Sequence, residues 1–113
     1  MLRLSMFVAV GMASVLLAGA APAWSDDETY TLTIKDHQFA PLEIQIPAGK
    51  KITLTVKNLD ATPSEFESTD LNREKVVAAG GTVTVFIGPL RTGSYEFFDD
   101  FNPDTAHGRI VAK

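Results

Sequence analysis

From residue 29 onward the chain alternates apolar and polar positions with a period of two. The stretch TYTLTIK puts Tyr30, Leu32 and Ile34 on one face with threonines opposite, and LEIQIP does the same with Leu42, Ile44 and Ile46. KKITLTVKN sets out Ile52, Leu54 and Val56, GTVTVFIG sets out Val83, Val85 and Ile87, and GSYEFFD places Tyr95 and Phe97 together. Side chains point to opposite faces at successive strand positions, so this pattern in Thr, Val, Ile and aromatic residues predicts half-buried strands. Shorter strands are expected at 64–68 (SEFES), 74–78 and 108–112. STDLNRE reads as either a loop or a single helical turn. Turn-forming stretches separate the strands: FAP, PAGK, NLDATP, AAGG, GPLRTG and FNPD. Seven or eight short strands with no convincing helix predict an all-β fold, an antiparallel Greek-key β-sandwich in one domain.

The first residues follow a different pattern. Arg3 precedes an apolar run from Leu4 to Ala18, and APA offers small residues for cleavage after Ala23, with Ser25 as the second choice. The run is short for a membrane span of about 20 residues. It is expected to be a secretory signal over residues 1–23 (or 1–25), leaving a domain at 24–113, exported most simply to a periplasm and not inserted in the membrane. Ala20 stands where a lipoprotein would need cysteine. About 90 residues suffice for one self-supporting core, so a metal site here would serve function and not folding.

Charge and sulfur then narrow the chemistry. The full chain has a net charge of −4, and removal of Arg3 makes the mature form slightly more acidic. That balance argues against nucleic acid or an anionic membrane as partner and is compatible with cation handling. There is no cysteine, and the three methionines (Met1, Met6, Met12) all fall within the expected signal. A thiolate copper centre, disulfide chemistry, cysteine catalysis and a methionine-based Cu(I) carrier are therefore excluded. No nucleophile–base pair, phosphate-binding glycine loop or zinc-protease helix is recognisable.

Candidate ligands cluster in two places. DDFNPDTAH holds Asp99, Asp100, Asp104 and His107 within nine residues, a carboxylate–imidazole set suited to Cu(II), Fe, Mn or Zn. The same residues are turn formers, with Pro103 at the second position of an NPD turn. In SEFES, Glu65 and Glu67 share one strand face while Phe66 points the other way. They are either an ordinary solvent face or half of a site shared with Asp99, Asp100 and His107. His37, in KDHQFAP, is the only other histidine; it is either a surface residue or a further ligand. Arg73 and Lys75 read as solvated charges or as partners of a carboxylate.

IKDHQFAPLEIQIPAGKKITLTVKNLDATPSEF, with F-x-P, P-A-G-K and N-x-D-x-x-P, resembles the first half of a cupredoxin, and GSYEFFD followed by HGRIVAK resembles the family's ending. The resemblance implies that Ser64 occupies the first histidine position, Asp99 the cysteine position, and Asp104 and Ala106 those of the second histidine and the methionine. All four type 1 copper ligands are thus replaced. SEFES and FFDDF resemble most the EfeO-type cupredoxin-like domains, which accompany bacterial iron permeases in ferrous-iron uptake. That resemblance implies a copper or iron ion held by Glu67, Asp99, Asp100 and His107, with Glu65 and His37 as further candidates, and an iron permease or other uptake component as partner. Two alternatives stand beside it: a metal-free adaptor sandwich docking a permease or redox partner, and an Fe(II) oxidase component.

Overall fold

The computed structural model describes residues 28–113, and the expected signal segment lies outside them. Nine strands run in chain order: β1 (Glu28–Lys35), β2 (Gln38–Ala40), β3 (Glu43–Ile46), β4 (Ile52–Asn58), β5 (Ser64–Ser68), β6 (Arg73–Val77), β7 (Thr82–Ile87), β8 (Gly93–Phe98) and β9 (His107–Ala112). They form a four-stranded sheet in the order β2-β1-β4-β7 and a five-stranded sheet in the order β3-β9-β8-β5-β6. The all-β sandwich expected from the alternation is what the chain forms. The strand beyond the expected count is β2, three residues that pair with β1 inside a stretch read as a turn.

Not every pairing is antiparallel. β1 runs parallel to β4, and β3 runs parallel to β9. The cause is connectivity: between β1 and β4 the chain crosses to the other sheet to lay down β3, so it returns to β1 in the same direction. Parallel neighbours need such a crossover, whereas a tight hairpin always reverses the chain.

The inward positions of the two sheets make the core. Leu32 and Ile34 of β1, Ile52, Leu54 and Val56 of β4, and Val85 and Ile87 of β7 face Ile44, Phe66, Val77, Phe97 and Ile110 of the other sheet, all buried. Phe97 is the aromatic centre, edge-on to Phe39 at 5.0 Å between ring centroids and tilted against Phe66 at 5.2 Å. Each fully buried side chain of this size contributes about 1.5–3 kcal/mol. Leu42 departs from its expected face. It is exposed because it precedes β3, and its carbonyl accepts the Arg109 N–H.

Two polar residues fix the pole where the candidate ligands lie. Asn58 is buried at the end of β4, and its amide donates to the carbonyls of Thr62 and Val77, at 2.8 and 3.1 Å, joining one sheet to the other. Asp60 accepts the backbone N–H groups of Asp36 and His37 at 2.7 and 3.0 Å. Both donors have positive φ (53° and 57°) in the two-residue loop between β1 and β2, as a type I′ hairpin turn requires. The N-x-D-x-x-P segment is therefore a pair of backbone clamps.

Candidate metal centre

β5 carries the centre of the candidate site. Phe66 enters the core while Glu65 and Glu67 project from the opposite face of the sheet. The register sets Glu65 opposite Val76 and Glu67 opposite Glu74 on β6, and Glu67 opposite Phe98 on β8. The loop after β8 brings in Asp100. Glu65, Glu67 and Asp100 each offer a carboxylate oxygen, and these oxygens lie within 4.8 Å of one another, the one such acidic or imidazole grouping among the described residues.

Burial is uneven across the trio: Asp100 is exposed, Glu67 intermediate, and Glu65 only 3% exposed. The Glu65 Oε1 atom is buried with no hydrogen-bond partner. An unmatched buried acceptor is costly, and a carboxylate that carries such an atom beside two others has the chemistry of a cation ligand. Burial pushes the Glu65 carboxyl up to about 7, reinforced by hydrogen bonding with Glu74 and Glu67 and by their negative charges. Near neutral pH the Glu65 carboxyl therefore holds a proton part of the time, and a bound cation would displace it.

The other expected ligands go elsewhere. Asp99 is fully buried, and both its oxygens are occupied. Oδ1 accepts the Glu65 and Phe101 backbone N–H groups at 3.0 and 2.9 Å, and Oδ2 accepts the Asn102 side-chain amide at 3.1 Å. His107 opens β9 opposite Phe98, so the β8 strand separates it from Glu67 in the register. It lines a hollow of about 480 Å3 with Gln38, Glu43, Glu96 and Arg109. There the Arg109 guanidinium donates to Glu43 at 2.8 Å and holds that carboxyl below its usual range, with help from Gln45. His37 sits in the β1–β2 turn, its ring nitrogen 3.6 Å from Asp60. Asp104 is exposed in the loop, whose Thr105 hydroxyl donates to the His37 carbonyl at 2.7 Å.

Glu74 completes the acidic face and was not among the expected ligands. The antiparallel pairing of SEFES with REKVV, which sets it against Glu67, was the signal that could have found it. Arg73 is exposed, as expected of a solvated charge, and its guanidinium also donates to the Phe86 carbonyl at 2.9 Å and to that of Asn72 at 3.0 Å, clasping β6 to β7.

Three carboxylates with neither imidazole nor sulfur fit a hard cation that prefers oxygen donors. They do not fit a type 1 copper ion, for which the chain has no thiolate. The interior position implied for those ligands is filled by protein: Ser64 and Ala106 are buried there, and Asp99 is consumed by N–H donors.

Comparison with known proteins agrees with this architecture. The protein is 46% identical over 80 residues to an uncharacterized protein, RP394, of Rickettsia prowazekii (strain Madrid E), an alignment covering 71% of this chain and 64% of that protein. The chain thus spans a little under two thirds of that relative's length. Among solved structures, auracyanin A, a "blue" copper protein of Chloroflexus aurantiacus, superposes with a TM-score of 0.67 at 14% identity, covering 75% of this chain and 98% of the other. A purple cupredoxin of Nitrosopumilus maritimus gives 0.58 at 20% identity, covering 77% of this chain and all of the other. An amicyanin variant gives 0.61 at 15% identity over 74% of this chain and 80% of the other. At these identities the likeness concerns the fold. Residues 6–112 match the family model described as a cupredoxin-like domain, and the chain belongs to that family.

Proposed function

We propose that this protein is an exported metal-binding cupredoxin-like domain that holds iron, in preference to copper, at Glu65, Glu67 and Asp100. One observation carries the reading: three carboxylate oxygens converge within 4.8 Å, and Glu65, nine-tenths buried, has an oxygen with no other partner. All-oxygen donors bind Fe(III) more tightly than Fe(II) and give Cu(II) no imidazole to favour it. The resemblance to EfeO-type domains and the signal-like first residues support a periplasmic place in ferrous-iron uptake. There the site would keep oxidised iron for an iron permease or another uptake component.

The test is direct titration of the purified protein with Fe(III) supplied as its citrate complex, with Fe(II) under anaerobic conditions, and with Cu(II). Iron binding that Glu67→Gln and Asp100→Asn weaken supports the reading. Equal affinity of wild type and both variants refutes the site.

One observation favours a second reading, the metal-free adaptor. Beside the carboxylates lies a hollow of about 570 Å3 lined by His37, Thr62, Pro63, Val76, Phe101 and Asn102. In it Val76 and Phe101 remain 56% and 50% exposed. Exposed apolar surface of this kind marks docking sites. The adaptor reading requires that loss of Val76 and Phe101 abolish uptake in cells while loss of the carboxylates does not.

A further inference from the structure

Asp99 is the one fully buried carboxylate in the described chain, and no cationic side chain contacts it. Burying an ionised carboxylate is costly unless donors surround it. Here every donor comes from a segment that builds the acidic cluster. The Glu65 N–H belongs to a cluster residue, the Phe101 N–H belongs to the peptide that follows Asp100, and the Asn102 amide fixes the turn beyond it. Because one oxygen, Oδ1, receives both backbone N–H groups, those two nitrogens cannot be more than about 6 Å apart.

The sheet itself does not supply this connection. β5 and β8 share a single paired position, Glu67 with Phe98. Beyond it the ladder ends, and the Glu65 N–H goes to the Asp99 side chain where a strand would have presented a carbonyl. On the other side, Asp99 is anchored through its own backbone: its N–H donates to Ala106 at 2.9 Å, and its carbonyl accepts from Asn102 at 3.0 Å. The side chain thus replaces a missing rung and joins the two segments whose carboxylates must converge.

We propose that Asp99 is a positioning residue of the metal centre: its carboxylate does not ligate the ion but clamps the Glu65 and Phe101 backbones so that Glu65 and Asp100 face one another. This rests on the metal-binding reading above and assigns to Asp99 a role different from that of the ligands. The clamp needs hydrogen-bond acceptance at one oxygen and not a negative charge. Asparagine keeps an acceptor oxygen of the same shape, and Asn102 can reverse its own amide to accept from the new NH2 group. Alanine removes the clamp altogether.

The experiment measures Fe(III)-citrate and Mn(II) binding by the full purified protein, beside thermal unfolding and amide exchange at Glu65 and Phe101. The variants are Asp99→Asn, Asp99→Ala and Glu67→Gln. Asp99→Asn is expected to bind within about threefold of wild type with both amides still protected. Asp99→Ala, where folded, is expected to lose tenfold or more in affinity with both amides exchanging faster. Loss of binding in folded Asp99→Asn as large as in Glu67→Gln overturns the proposal, because the charge is then itself a ligand. Wild-type affinity in folded Asp99→Ala overturns it as well, since the residue then serves only the fold. If Asp99→Ala does not fold, Asp99→Asn decides alone by the same criterion. A wild-type protein that binds neither ion refutes the metal centre, and with it this role, before any Asp99 variant is compared.

Discussion

Glu67 on β5 lies directly opposite Glu74 on β6, and Glu65, two residues earlier on the same strand face, joins them in one acidic face. Like charges directly opposite in a sheet are destabilising, so this arrangement spends stability unless protons or a cation neutralise it. The consequences can be measured.

The metal-free protein is expected to lose stability as the pH rises. Glu65 has a folded-state value of about 7 against an ordinary 4.5, so between those values the folded state holds more protons than the unfolded one. Its contribution is complete below about 4.5 and is lost as the pH rises through 7. Chemical denaturation at pH 5 and pH 8 should differ by on the order of 2 kcal/mol through this group. Glu65→Gln should flatten that dependence, and a bound cation should restore stability at pH 8.

Ligand substitutions should separate the acidic cluster from the histidines. Glu67→Gln and Asp100→Asn are each expected to weaken iron binding about tenfold or more, on the order of 1.4 kcal/mol. His107→Ala and His37→Ala should leave it unchanged, because neither imidazole reaches the cluster. Competition titration against a chromophoric chelator reads all four.

Asp60 is expected to matter for stability and not for metal. Asp60→Ala removes the acceptor that holds the N–H groups of Asp36 and His37 in an exposed left-handed turn and should cost about 0.5–1.5 kcal/mol in urea unfolding. The His37 N–H, foremost, holds the Asp60 carboxyl below its usual range, with Asp36 assisting and desolvation opposing. Its stabilisation is therefore present above the ordinary carboxylate value and fades as the pH falls through the lowered one. His37→Gly should be tolerated, since glycine adopts positive φ freely.

Gly108→Ala should be the most damaging small change on β9. An added Cβ would stand 2.7 Å from both the Leu42 carbonyl oxygen and the Phe97 ring. Neither neighbour can yield, one being backbone and the other the aromatic centre of the core. A loss of about 1–3 kcal/mol is expected, seen as a lowered Tm.

Much of this was legible in the chain. Alternation located five of the nine strands among the described residues, because the period of a strand is a local property, and the three shorter ones at 64–68, 74–78 and 108–112 were expected beside them. β2 was missed because three residues around Phe39 carry too little pattern to stand out from a turn. Glu65 and Glu67 were placed on one outward face by the same alternation, and Asp100 was placed in the loop that meets them. Asp99, Asp100 and His107 looked equivalent in sequence, three candidate donors within nine residues, yet one is a clamp, one joins the cluster and one faces another hollow.

The sequence by itself determined the all-β sandwich, the composition of its two faces and the absence of any thiolate ligand, because periodicity and residue chemistry require no knowledge of neighbours. Only the tertiary structure decided which acids meet, that Glu65 is buried with an oxygen left over, and that Asp99 turns inward to hold backbone N–H groups. Those outcomes depend on strand register and on where the pairing of β5 with β8 stops, both set by packing between residues about thirty positions apart.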